Sequence, residues 1–168
     1  MKIYIGSDHA GYELKEKLKV YLNELALGYE VIDKGAFKYD ADDDYPDFVR
    51  PVAEAVVADK DSRGIILGGS GQCEAICANR IKSVRAAVFY GGVMAKEAVD
   101  VEGRKSTDPF EIIKLARLHN NANILSIGAR FVSVDEAKFA VELFLSTLFS
   151  ESERHTRRIN KIDSLQSD

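Results

Sequence analysis

The feature that most constrains the fold is a short, continuously apolar run that passes directly into glycines. Ile65, Ile66 and Leu67 are followed by Gly68-Gly69-Ser70-Gly71 and then by a helical pattern that continues to about Arg80. Consecutive apolar residues are typical of a strand that is buried on both faces, as in a parallel sheet covered by helices. The pattern therefore predicts a buried strand that ends in a tight turn at the edge of such a sheet.

Strand and helix patterns alternate along the rest of the chain. Further strands are predicted at 2–5, 31–32, 84–89 and 124–127, and further helices at 14–25, 46–57, 109–118 and, after a capping box of Ser133 and Glu136, through Leu148. Short right-handed crossovers between five strands imply an α/β fold, a three-layer, Rossmann-like, doubly wound parallel sheet.

The domain plan follows from this alternation. We expect a single Rossmann-like domain over residues 1–150 and a C-terminal basic helix or tail over residues 151–168. In the common small doubly wound order the first and third strands are neighbours, and ligands bind at the carboxyl ends of the strands. Asp8 and His9, which follow the first strand, are then expected to face Gly69 and Ser70.

The composition agrees with one globular domain. The chain has 168 residues, of which 46% are hydrophobic and 30% are charged, enough apolar surface for a single core. The net charge of -4 argues against broad binding to nucleic acid or to a membrane surface. No apolar run reaches the roughly 20 residues that span a bilayer, and the amino terminus turns polar too soon for a secretory signal. We expect a cytoplasmic protein.

The cysteines give no sign of a metal centre. Cys73 and Cys77 lie four residues apart in a helical segment, and no further cysteine or nearby histidine completes a zinc tetrad. We therefore expect two reduced thiols and no metal.

The loop after the third strand is the first candidate for chemistry. Its backbone N–H groups open a helix, where the helix dipole favours an anionic oxygen, although glycines also serve simply to permit a tight turn. Glu74 lies in the first turn of that helix, so its carboxylate is a candidate general base. Cys73 is a rival, because the same helix start would stabilise its thiolate. The spacing does not separate these two alternatives.

Other polar residues complete the set. Asp8 and His9 end a strand, although an aspartate there is also a common turn residue. His119 and Asn120 follow a helix, where they are equally typical of a C-terminal dipole partner and cap. Arg154 and Arg158 share one helical face, which suits a phosphate, although a solvated basic tail is the simpler interpretation. The acidic run Asp40–Asp44 is interpreted as a solvated loop.

These features resemble one family in particular. The opening Gly6-Ser7-Asp8-His9-Ala10-Gly11, with Glu13-Leu14-Lys15 after it, resembles that of type B ribose-5-phosphate isomerases. Matches to the family continue in order along nearly the whole chain, at Gly69-Ser70-Gly71, Ala78-Asn79-Arg80, Arg117-Leu118-His119-Asn120, Asn123, Gly128-Ala129-Arg130 and Arg154-His155.

The resemblance implies an aldose–ketose isomerase that opens a sugar phosphate ring and moves a proton between C1 and C2 through a cis-enediolate, without cofactor or metal. It implies a homodimer with shared active sites, with a tetramer as the larger alternative. By resemblance, Glu74 is the base, Asp8 and His119 open the ring, and Ser70 polarises the substrate. Gly69, Ser70, Gly71 and Asn120 bind the enediolate or substrate, and the phosphate set is His9, Arg130, Arg154, His155 and Arg158.

Two departures bear on this interpretation. One branch of the family has a cysteine base two positions before Ser70, where this chain has Gly68. The other branch has a glutamate base where Glu74 stands, so this branch is the better match. The connection from Gly91 to Asp108 is also longer than is usual in the family. A connection of this length at the ligand end could reshape the sugar pocket or the dimer contact.

Ribose 5-phosphate and ribulose 5-phosphate are the leading substrate pair. Six-carbon substrates such as allose 6-phosphate or galactose 6-phosphate are the alternative, and a non-catalytic sugar-phosphate-binding module is a third. Nucleic-acid binding through the basic tail ranks lowest, because no aromatic residues stand among the arginines.

Overall fold

Strands and helices alternate along the chain in the computed structural model, which describes residues 1–25 and 28–165. Within those ranges the elements are, in order, β1 (Lys2–Ser7), α1 (Tyr12–Glu24), β2 (Glu30–Asp33), α2 (Pro46–Ala58), β3 (Arg63–Gly68), α3 (Gln72–Ala78), β4 (Ala86–Phe89), α4 (Glu111–Asn120), β5 (Ile124–Gly128), α5 (Val134–Ser146) and α6 (Glu153–Ser164). None of the described helices is long and apolar enough to cross a bilayer.

The strands form one parallel sheet in the order β2-β1-β3-β5-β4. The predicted α/β class, five parallel strands and neighbouring first and third strands are confirmed. Ser7 is in register with Leu67, and Gly68 is in register with Gly128. The carboxyl ends of the three central strands therefore meet at one point of the sheet edge, and the loops that leave them must lie side by side.

Helices cover both faces of the sheet. Ile65 and Leu67 pack with α1, α4 and α5, whereas Ile66 packs with α2 and α3 on the other face. Successive side chains of a strand point to opposite faces, so a strand covered on both sides needs apolar residues at every position. This is the physical reason for the uninterrupted apolar run at 65–67.

Some predicted helix boundaries differ from the structure. α3 ends at Ala78 because the Asn79 side chain bonds instead with Ala86, donating to its carbonyl at 3.0 Å and accepting from its N–H at 2.8 Å. α4 begins at Glu111 instead of residue 109. Just before it, the Asp108 carboxylate accepts the Phe110 N–H at 2.8 Å. α5 ends at Ser146, and Leu148, predicted on its apolar face, is 77% exposed.

The C-terminal segment is helical where it is described. α6 covers 153–164 of the predicted 151–168 tail, and residues 166–168 lie outside the described residues. Ile159 is the buried residue of α6, and Arg85 reaches Asp163 at 3.3 Å. The helix is therefore attached to the domain near its middle and near its end.

A buried ion pair ties α1 to the end of β2. The Lys15 ammonium is fully buried and donates to both carboxylate oxygens of Asp33, at 3.0 and 2.9 Å, and to the Ala36 carbonyl. Burial alone would raise the pKa of Asp33, but hydrogen bonds from Lys19, the Gly35 N–H and Lys15 outweigh it and hold that pKa below its ordinary value. The pair fixes the start of the loop that leads from β2 towards the sheet's carboxyl edge.

Asp33→Ala should lower the free energy of unfolding by about 3–5 kcal/mol at pH 7, because it leaves the Lys15 ammonium buried without its carboxylate. The difference from wild type should shrink in acid, since a lowered pKa stabilises the fold above the ordinary aspartate pKa and stops doing so once the carboxylate is protonated. Urea denaturation at pH 7 and at about pH 2, well below the ordinary aspartate pKa, measures both effects. Glu16→Ala, at an exposed partner of the same lysines, is the control and should cost less than about 1 kcal/mol; a cost as large as that of Asp33→Ala would contradict the argument.

Candidate active site

The turn after β3 is shaped by close packing. Gly71 caps α3 with φ at +74°, a left-handed conformation that favours glycine, and a Cβ there would lie 3.0 Å from the Gly128 backbone nitrogen. The Gly71 carbonyl accepts a hydrogen bond from the buried Ser126 hydroxyl at 2.6 Å. The Ser70 hydroxyl oxygen accepts the Gln72 N–H at 3.3 Å. The turn is thereby held against β5, with Gly69 and Ser70 on its open side.

Glu74 projects from α3 back towards the end of β3. Only 3% of this residue is exposed, and a Cβ on Gly68 would lie 1.9 Å from its Oε1 atom. A side chain at position 68 and the carboxylate of residue 74 therefore compete for one space. Glycine at position 68 therefore leaves the space that the Glu74 carboxylate occupies.

The environment of Glu74 suits a base. Its Oε2 atom is buried and has no hydrogen-bond partner among the described residues. Burial raises the pKa of the carboxyl above its ordinary value, and nearby Asp8 adds to this, although the backbone N–H groups of Glu74 and Gly71 act in the other direction. A carboxylate with a raised pKa and a vacant lone pair is a stronger proton acceptor than an exposed one.

Asp8 and His9 lie at the carboxyl end of β1, as predicted. Asp8 is buried, and its Oδ1 atom accepts the N–H groups of Ala10 and Gly11 at 3.0 and 3.1 Å. His9 is bonded to Asp43, whose Oδ1 atom lies 2.7 Å from Nδ1 of the ring. That hydrogen bond outweighs partial burial and raises the pKa of His9. Asp8 therefore stabilises the turn and also lies where a site residue was predicted.

One cleft, which we call the carboxyl-edge cleft, collects these groups in a volume of about 370 Å³. Predicted residues in its wall are Asp8, His9, Gly69, Ser70, Glu74 and Arg130, together with Cys73. The guanidinium of Arg130 packs on Gly69, since a Cβ there would lie 3.2 Å from Arg130 Cζ. Both rivals for the base therefore lie in the cleft, Glu74 buried and Cys73 exposed.

Two aromatic residues of the cleft wall were missed in the sequence. Phe131 follows a stretch that resembles the family and could have been found by extending it by one residue. Tyr45 precedes the proline that opens α2 and carries no distinguishing pattern. Its position depends on how the β2–α2 loop folds over the sheet edge.

The remaining predicted residues meet elsewhere, in a cleft of about 290 Å³ that we call the basic cleft. His119 from α4 and Arg154, His155 and Arg158 from α6 line it. The rings of His119 and His155 lie 4.2 Å apart. Burial lowers the pKa of His155, and His119 and the two arginines lower it further, which favours a neutral ring there. Asn120 is absent from this wall, and its side chain donates to the Leu115 carbonyl at 3.3 Å.

The two clefts lie at opposite ends of the sheet. α4 ends at Asn120, just before the amino end of β5, whereas Gly128 at the carboxyl end of β5 lies beside Gly68. Five strand residues at about 3.3 Å each separate the two ends by roughly 16 Å. Within one chain, His119 is therefore not brought to Glu74.

The long connection after β4 is ordered and reaches the basic cleft. Its residues Ala98–Glu102 form one wall of that cleft. Arg104 closes a turn by donating to Asp100 at 2.9 Å and reaches Glu111 of α4, which is almost fully buried, at 2.6 Å. The expectation that this connection shapes a binding surface stays a prediction, and the surface it contacts is the basic cleft.

One group of side chains has the atom types of a metal site. Ligand atoms of Asp8, His9 and Asp43 lie within 4.8 Å of one another. The short Nδ1 to Oδ1 distance shows that His9 and Asp43 already use these atoms for each other. The group is therefore best described as a hydrogen-bonded cluster.

The fold and the carboxyl-edge cleft define a class: an α/β protein that places a buried carboxylate beside a glycine-rich turn at the start of a helix. A model of the ribose/galactose isomerase family matches residues 3–103 and 107–162. The chain therefore belongs to the ribose/galactose isomerase family.

Individual relatives are similar over almost the whole chain. Ribose-5-phosphate isomerase B of Mycolicibacterium paratuberculosis is 43% identical over 95% of this chain and 88% of its own length. The putative sugar phosphate isomerase YwlF of Bacillus subtilis is 34% identical over 99% and 97%. The crystal structure of ribose-5-phosphate isomerase B from Mycoplasma genitalium with bound ribulose-5-phosphate has a TM-score of 0.83, 34% identity and coverage of 99% and 97%.

Gly68→Ala tests the placement of Glu74. The added methyl overlaps the end of a flexible side chain, so we expect the fold to survive while the carboxylate moves, which should lower kcat about 100-fold for a displacement near 1 Å. Turnover is measured beside the thermal unfolding midpoint. Full activity with an unchanged midpoint would show that the carboxylate position is unimportant.

Proposed function

We propose that this protein interconverts ribose 5-phosphate and ribulose 5-phosphate by proton transfer through a cis-enediolate. The observation that carries the proposal is Glu74, a buried carboxylate beside the turn at Gly69 and Ser70, with one oxygen that has no hydrogen-bond partner in the part of the chain that the structure describes. The relatives support the substrate, since one is a ribose-5-phosphate isomerase B and another was solved with bound ribulose-5-phosphate.

The proton transfer assigns a role to each group. Glu74 removes the proton from C2 of the open-chain aldose and returns it to C1, while the hydroxyl proton of O2 is transferred to O1. The negative charge that develops on the substrate oxygen is stabilised by the backbone N–H groups of Gly69 and Ser70, with the Ser70 hydroxyl polarising the substrate and Gly71 holding the turn. The reaction is an internal redox isomerisation, so it needs no external oxidant or cofactor.

Ring opening and phosphate binding require residues from both clefts. Asp8 is placed beside Glu74 to act on the sugar hydroxyl, with His119 as its proton-transfer partner. His9 and Arg130 bind the phosphate from the carboxyl-edge cleft, and Arg154 and Arg158 bind it from the basic cleft. His155, with its lowered pKa, contributes as a neutral ring, and Asn120 contacts the substrate after release from the Leu115 carbonyl.

A homodimer reconciles these roles with the geometry. The two clefts lie at opposite ends of one sheet, so the basic cleft of one subunit must meet the carboxyl-edge cleft of the other. A twofold axis then builds two complete sites at once. In this arrangement the 151–168 segment extends the 1–150 domain and supplies the phosphate-binding arginines to the neighbour. We place this sugar-phosphate isomerase in the cytoplasm.

Turnover should occur with ribose 5-phosphate, with exchange of the C2 hydrogen in deuterated water. Glu74→Gln should lower kcat by about 10²–10⁴-fold, because the general base is lost. The acidic limb of the wild-type kcat profile should lie above the ordinary glutamate pKa, since only the deprotonated base works and burial raises its pKa. Cys73→Ser is the control and should retain activity.

Other outcomes would reject specific parts of this proposal. Turnover of allose 6-phosphate or galactose 6-phosphate alone would overturn the substrate. Binding without exchange at C2 would indicate a sugar-phosphate sensor. Loss of turnover in Cys73→Ser with full activity in Glu74→Gln would reassign the base.

Mixing two inactive variants tests the shared site. Glu74→Gln damages the carboxyl-edge cleft and His119→Ala damages the basic cleft, so a mixed dimer has one intact site and one doubly altered site. Random reassociation of equal amounts should restore roughly a quarter of wild-type activity. Activity no higher than the mean of the two variants, with exchange of subunits verified by mass spectrometry, would show that each site belongs to one chain.

A further inference from the structure

Asp43 stands apart from its acidic neighbours. Residues 40, 42 and 44 of the acidic loop are exposed, as a solvated loop requires, but the Asp43 side chain is only 8% exposed. The interpretation of this run as wholly solvated is therefore wrong at one position. A buried carboxylate loses its hydration and needs compensating contacts.

The compensating contacts all come from one residue. Oδ1 of Asp43 accepts the backbone N–H of His9 at 3.0 Å and lies 2.7 Å from its Nδ1 atom. An ionised carboxylate only accepts, so Nδ1 carries the proton and Nε2 is the ring nitrogen left for a ligand. The His9 ring also meets the edge of Tyr39, at 6.4 Å between centroids. One oxygen atom thus fixes both the backbone and the ring of a residue in the cleft wall.

The second oxygen of Asp43 is not compensated. Oδ2 is buried and has no hydrogen-bond partner among the described residues. An unpaired buried polar atom destabilises the folded state, because it has lost its hydration without gaining a hydrogen bond. The fold tolerates this cost at a residue whose carboxylate, among the described residues, hydrogen-bonds to His9 alone, which indicates that the orientation of His9 matters more than local stability.

The charges that face His9 favour an imidazolium. Asp43 and Asp8 raise the pKa of the ring, while partial burial and Arg130 oppose them. A positive ring beside the Arg130 guanidinium can hold a dianion, whereas a neutral ring donates or accepts only one hydrogen bond at Nε2.

We propose that Asp43 is a positioning residue, whose carboxylate holds His9 so that Nε2 donates to the phosphate group of the substrate. The inference rests on the proposed function for the identity of the ligand as a sugar phosphate. It assigns the acidic loop between β2 and α2 a part in substrate binding.

The variants Asp43→Asn and Asp43→Ala test this proposal. Asn keeps the size and an acceptor but removes the charge, so phosphate binding should weaken at a lower pH than in wild type, as His9 loses its proton earlier. Ala removes both contacts and should raise KM for ribose 5-phosphate and Ki for inorganic phosphate about tenfold or more, with a smaller change in kcat. Asp42→Asn, on an exposed neighbour in the same loop, should leave KM, Ki and the pH dependence of phosphate binding unchanged.

Two measurements separate positioning from a merely structural role. The chain has three histidines, so ¹⁵N spectra of the ring nitrogens can be assigned with His9→Ala, and the His9 signals should show a proton on Nδ1 and a titration that moves to lower pH in Asp43→Asn. In the double-mutant cycle, Asp43→Ala should weaken phosphate binding little further once His9 is alanine. Full additivity, or an unmoved His9 titration, would overturn the proposal.

Failure of the proposed function would look different. If the wild type turned over no sugar phosphate, calorimetry with inorganic phosphate would still compare wild type, Asp43→Asn and His9→Ala. Equal phosphate affinity in all three would overturn the role of Asp43, whereas weaker binding in both variants would support it for another phosphorylated ligand.

Discussion

The parallel pairing of β1, β3 and β5 is the constraint on which the site depends. Because Gly68 is in register with Gly128 and Ser7 with Leu67, three strands end together and their loops must share a small space. Close packing at this edge leaves no room for a side chain at two positions: a Cβ on Gly11 would lie 2.6 Å from the Leu67 Cβ atom, and one on Gly68 would overlap Glu74. The glycines that let the loops approach one another also make room for the buried carboxylate.

The two clefts differ in the charged and titratable groups that line them. In the carboxyl-edge cleft, burial raises the pKa of Glu74, and the Asp43 carboxylate raises the pKa of His9. A candidate proton acceptor and a candidate cation therefore line the same cleft. The basic cleft holds two arginines and a histidine with a lowered pKa. Neither cleft has both the proposed base and the full set of residues proposed to bind the phosphate, which is why the proposed reaction needs a second copy of the chain.

Local patterns were sufficient to predict most of the architecture. Short continuous apolar runs, several of them ending at glycines, identified the strands, and the capping box at Ser133 was found where the structure has it. The expectation that the first and third strands are neighbours placed Asp8 beside Gly69 without any use of the family resemblance. The prediction that the acidic loop is solvated was wrong at Asp43, because nothing in a run of aspartates indicates which side chain is buried. Asp43 is buried because its carboxylate hydrogen-bonds to His9, which lies 34 residues away in sequence.

By itself, the sequence determined the α/β class, the order of the elements and the residue types available for proton transfer, because these depend on contacts within a few residues of one another. The tertiary structure alone decided that Glu74 is buried against Gly68, that Asp43 holds His9, and that His119 lies at the far end of the sheet from both. Burial and long-range hydrogen bonds depend on which elements become neighbours when the sheet forms, and it is these that set the pKa of each group and the reach of each side chain.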